Sequence, residues 1–126
     1  MKLWIVMFLV MLLIIVGGSF LEQSILKTTN HFSHSLDSIK EAVRNDQWSE
    51  AMQQRDGVDQ QWSKQKDVWD PFIHNHDLDL VTSHLARLQV FIETHEKALA
   101  LAEIETIQTQ LTQLREQEIL TLQNIL

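Results

Sequence analysis

Between Leu3 and Leu21 the chain reads LWIVMFLVMLLIIVGGSFL, nineteen residues without a charge, and no other feature limits the fold as much. At about 1.5 Å per helical residue, this run spans roughly the 30 Å of a bilayer's hydrocarbon core. Read as an anchor, it divides the chain into a transmembrane segment over 1–21 and a water-soluble domain over 22–126. Lys2 is the only charge before it and Glu22 follows directly. The positive-inside rule then favours a cytoplasmic N-terminus and a domain outside the cytoplasmic membrane. A cleaved signal peptide is the competing reading, with Leu3 to Val16 as its apolar region and Gly17, Gly18 and Ser19 as the small-residue cleavage region. The anchor is favoured because the apolar stretch runs on to Leu21, past that cut, into sequence compatible with a helix. The chain has no cysteine, which excludes a lipoprotein anchor, disulfides and thiolate metal sites.

The remaining residues, about 105, suffice for one modest domain. Glycine occurs three times and proline once, so the punctuation of turns and strands is nearly missing and the composition favours helix. Beyond the anchor, nine Lys and Arg face seventeen Asp and Glu. That acidic balance argues against a basic patch for nucleic acid or anionic headgroups.

Apolar periodicity predicts an all-α fold. Ile25, Phe32, Leu36, Ile39 and Val43 form the stripe of a helix continuing outward from the anchor. Asn45 and Asp46 interrupt it and offer a short side chain to cap a second helix. There Trp48, Met52, Val58, Trp62 and Trp69 recur mostly on one face, with the three tryptophans in heptad phase. Gly57 inside this helix suggests a close helix crossing. Asp70-Pro71 predicts a third helix beginning after an aspartate cap. Its stripe, Val81, Leu85, Leu88 and Ile92, would extend through His95, Leu99 and Ala102. The pattern then changes phase to Ile104, Ile107, Leu111 and Leu114, which predicts a break near Thr94. Four segments of roughly twenty to twenty-five residues close best as an up-and-down antiparallel bundle. The alternative is one long third helix pairing with other copies. The expected core centres on Trp48, Trp62, Trp69, Leu85, Leu88 and Ile92.

Six histidines raise the question of a metal. His74, His76, Asp77 and Asp79 lie close together, with His84 further along. His76 and Asp79, like His31 and His34, have the i, i+3 spacing that puts two ligands on one helical face, whereas His74 and His76 do not share a face. The alternative is that the aspartates favour the positive end of a helix while the histidines cap, pack or face water. A pH-sensing role is physically open, since imidazole titrates near neutrality. No phosphate loop, nucleophile elbow, HExxH pair or dinucleotide fingerprint occurs, so neither an enzyme nor a cofactor is expected. Tryptophans at heptad spacing are read as core rather than a ligand cage.

Asp46, Trp48 and Ala51 after a turn, then Trp62 and Trp69, FIHNHDLD, LARL and the terminal LTLQNIL together resemble an uncharacterised family, a domain of unknown function. Its members are short single-pass membrane proteins with a Trp-rich helical domain, found in spore-forming Firmicutes. The resemblance covers nearly the whole chain. It implies a membrane address, no assigned enzymatic activity, genes often neighbouring that of a multi-pass membrane protein, and no catalytic residues to carry over.

The function expected is a non-enzymatic, membrane-anchored interaction module, accessory to an integral-membrane partner or binding another copy of itself. A metal- or pH-sensing extracytoplasmic domain built on the His/Asp cluster is the alternative, and a secreted helical protein released by cleavage is the third reading.

Overall fold

The computed structural model describes residues 1–73 and 75–125, with side chains described as far as Leu120. Four helices follow one another: α1 (Lys2–Arg44), α2 (Trp48–Trp69), α3 (Asn75–Glu93) and α4 (Lys97–Ile125). Among the described residues there is no strand. Each helix packs against its chain neighbour and α4 closes back on α1, giving the expected up-and-down bundle. The long third helix of the alternative does not form.

α1 runs unbroken for 43 residues, about 65 Å at the standard rise. Its first half has no partner, and its second half supplies Ile25, Phe32, Leu36, Ile39, Ala42 and Val43 to the core. Leu21, the last residue of the apolar run, already packs against that core. No linker separates the run from the bundle. Trp62 and Trp69 are each 1% exposed. The Trp62 ring meets Phe32 edge-on at 5.5 Å and Trp69 at 6.1 Å. Its indole N–H donates to Thr82 Oγ1 at 2.9 Å, so this buried donor is paired.

The turns differ from expectation in their chemistry. Asn45 and Asp46 mark the first turn, but Gln47 is the N-cap of α2 and makes no side-chain cap bond. Asp46 instead ends α1: at φ 59° its N–H donates to Val43 O, and Gln47 N–H donates to Ala42 O. This is a Schellman motif, which closes the last carbonyls of a helix. The break near Thr94 repeats it. His95 has φ 55°, His95 N–H donates to Ile92 O and Glu96 N–H to Phe91 O. The stripe therefore stops at Ile92, and His95, Leu99 and Ala102 are exposed rather than extending it. At the remaining turn, Asp70 and Pro71 do not start α3. Asp70 stays in helical geometry at the end of α2, and the Trp69 carbonyl accepts from Phe72 and Ile73 N–H. The proline thus lies just past α2, where a residue that cannot continue the helix is common.

The two matching corners lie 49 residues apart, and the same offset aligns the buried positions on either side of them. Leu36 pairs with Leu85, Ile39 with Leu88, Val43 with Ile92, Ala51 with Ala100, Val58 with Ile107 and Trp62 with Leu111, all buried. The bundle is two copies of one helical hairpin, α1–α2 and α3–α4, arranged so that exchanging them preserves every neighbour.

Trp48 corrects the expected core. It is only partly buried against the core, because it starts α2 at the corner end of the bundle, where no further layer covers it. Gly57 is a correction too, since a Cβ there would meet nothing within 4 Å; no helix crosses close to it. Gly57→Ala should therefore stabilise α2 by about 1 kcal/mol, seen as a melting temperature raised by about 4–8 °C for the full chain in detergent micelles. In the same assay Trp62→Ala should destabilise the bundle by about 3–5 kcal/mol.

Candidate functional site

The largest unsatisfied surface is the first half of α1. Every residue from Leu3 to Val16 is exposed, as is Phe20 at 75%. An 18-residue window there has a mean hydropathy of 2.7 with none of it buried in the fold. The helix is long and apolar enough to cross a membrane.

The sequence-derived metal candidates lie near the opposite end of α3 from the His95 corner. His76 and Asp79 are exposed in the first turns of α3, and His74 lies outside the described residues. Asp79 Oδ1 is held by Lys66 Nζ of α2 at 2.6 Å. Among the described residues no three His, Asp or Glu side chains converge as a metal site. The Asp79 hydrogen bond raises the Lys66 pKa above its ordinary value despite partial desolvation, and the charges of Asp79, Asp70 and Asp67 add to the effect. His31 and His34 lie on the exposed side of α1.

Sequence reasoning missed two buried charges. Glu103 of α4 is 6% exposed, with Oε1 2.7 Å from His84 Nδ1 and 3.3 Å from Arg87 Nε, both on α3. A carboxylate only accepts, so this geometry places a proton on Nδ1. Arg55 of α2 is 4% exposed. Its Nη1 donates to Leu85 O at 3.1 Å, and its Nε and Nη2 both donate to Asp56 Oδ1. Both groups cross helix interfaces with their bonding partners in place, as buried charges require. The available signal was a charged residue in register with an apolar stripe: Glu103 between Ala100 and Ile107, Arg55 between Ala51 and Val58.

At the corner end, the Trp48 and His95 rings stack at 4.8 Å with 4° between their planes. Asp46, Glu50, Ile92 and Glu93 line an open groove of about 680 Å³ beside them. Lys97 ties the two corners together, donating to Asp46 Oδ1 at 2.8 Å and to Arg44 O at 3.2 Å. This end holds the bundle's turns in place and offers a shallow surface rather than an enclosed cavity.

The arrangement defines a class: an acidic four-helix bundle carried on a helix whose free half is long and apolar enough to cross a membrane. Residues 19–125 match the model of a domain of unknown function, DUF4363, and the chain belongs to that family. No curated protein and no solved structure matches it.

Because the Lys66 pKa is raised on folding, its contribution to stability is complete below the unfolded lysine value of 10.5 and is lost as pH rises through the folded value. Urea midpoints measured against pH should therefore fall across that alkaline window. Asp79→Asn should show a smaller fall there than the parent chain.

Proposed function

We propose that the protein is a non-enzymatic, membrane-anchored interaction module, its N-terminus in the cytoplasm and its bundle outside the cytoplasmic membrane, serving as an accessory to an integral-membrane partner. The observation that carries this reading is the bare apolar half of α1. A helix apolar on every side needs lipid or other apolar helices around it, and the bundle covers none of this stretch. Gly17 leaves open space beside the helix, the kind of position at which a partner's transmembrane helix approaches closely. Lys2 before the run and Glu22 after it favour the stated orientation. The acidic bundle, whose grooves are open rather than enclosed, suits contact between proteins better than turnover of a small substrate. Membership in the DUF4363 family fits this reading without assigning a role.

A C-terminal tag, cell fractionation, outside accessibility of the tag and mass spectrometry after mild detergent extraction test it together. The expected outcome is full-length protein, Met1 to Ser19 retained, in the membrane fraction, tagged end outside, with a multi-pass protein enriched. A shortened soluble protein without companion refutes it. Arginine at Leu9 and Leu12 should release the chain from the membrane fraction, since each charge near the centre of a span costs about 2.5–3.5 kcal/mol.

A further inference from the structure

Beyond Val16, six large apolar side chains are exposed among the described residues: Phe20, Val68, Phe72, Val90, Leu99 and Leu120. Four of the six lie at one end of the bundle, the end from which the apolar run emerges. The register shows this. Trp62 packs on Phe32, and Val68 shares a groove with Lys27 and Thr28, so α2 descends along α1 residue for residue. Carried on to the α2–α3 turn, that register puts Phe72 level with Gln23 and Ser24, about one helical turn from Leu21. α4 descends in the same sense, Arg115 bonding Asn30 at 3.1 Å, which places Leu120 near the level of Ile25.

We infer that the α2–α3 turn is a lipid-interface contact, with Phe72 and Val68 seated at the headgroup boundary of the bilayer that surrounds the chain's own α1. This rests on the anchoring reading above and deepens it. Phe72 is 66% exposed and Val68 61%, while Trp69 and Ile73 beside them are buried. The end of α2 and the turn after it therefore keep two apolar side chains, Val68 and Phe72, facing outward. Because Leu21 already packs on the core, no linker lifts the bundle from the surface, and the turn reaches the interfacial zone in which apolar side chains insert by about 5–10 Å. Lys27 and Lys64 line the groove above Val68, at headgroup height, whereas Asp67 and Asp70 flank the turn. That mixture fits a zwitterionic surface rather than an anionic one.

The chain lacks cysteine, so single thiols report cleanly. Full-length F72C and V68C would be placed in phosphatidylcholine nanodiscs beside S49C, an exposed position at the far corners. Their rates with a water-soluble maleimide would be measured, together with quenching of an attached fluorophore by shallow nitroxide lipids. The expected result is a reaction about tenfold slower at 72 than at 49, as for a thiol in apolar surroundings, and quenching at 72 and 68 only. Equal rates and equal quenching at 72 and 49 in chains that do enter nanodiscs overturn the interface contact and leave the anchor standing. A folded chain that fails to enter nanodiscs overturns the anchor, and this contact with it.

Discussion

The apolar half of α1 cannot be left in water, and it is continuous with a helix that the bundle cannot do without. Those two facts bind the rest of the structure. Ile25, Phe32, Leu36, Ile39 and Val43 form one wall of the core, so the run from Leu3 to Leu21 is not an appendage that could move independently. Whatever surrounds the run also fixes the height at which the bundle begins.

The core answers with a hierarchy. Trp62 touches helices on both sides, through Phe32 of α1 and Thr82 of α3. Arg55 and Glu103 then fasten the α2–α3 and α3–α4 seams with hydrogen bonds that apolar packing alone would not direct. Such groups add little net stability when buried, yet they penalise a shifted register because a slipped helix would strand a charge.

Much of this was legible in the sequence. The stripes of α1 and α3 and the phase change to Ile104, Ile107, Leu111 and Leu114 follow from apolar spacing, which burial enforces directly. What escaped depends on context that spacing does not carry. Asp46 and His95 occupy left-handed positions where glycine is the usual residue, so spacing located both corners without showing how either one closes. Asp70-Pro71 read as a helix start because that pair is compatible with both ends of a helix. Trp48 obeys the heptad of Trp62 and Trp69 but sits one layer too far. The hairpin repeat stayed hidden because the offset of 49 conserves burial and backbone shape, with Trp62 opposite Leu111 and Arg55 opposite Ile104, rather than residue type. The histidines gave a pattern of ligand types without convergence: the structure turns Asp79 toward Lys66.

The unbroken α1 also makes the molecule a lever. Between Leu21 and Arg44 the helix rises about 35 Å, with no glycine, proline or loop to absorb a bend. If the apolar half spans a membrane as proposed, a tilt of about 20°, the average for transmembrane helices, would therefore carry the Asp46 and His95 corners sideways by about 12 Å relative to an upright helix, while Phe72, near the base, scarcely moved. On the anchoring proposal, reorientation of the apolar half would be delivered, amplified, to the corner end farthest from it.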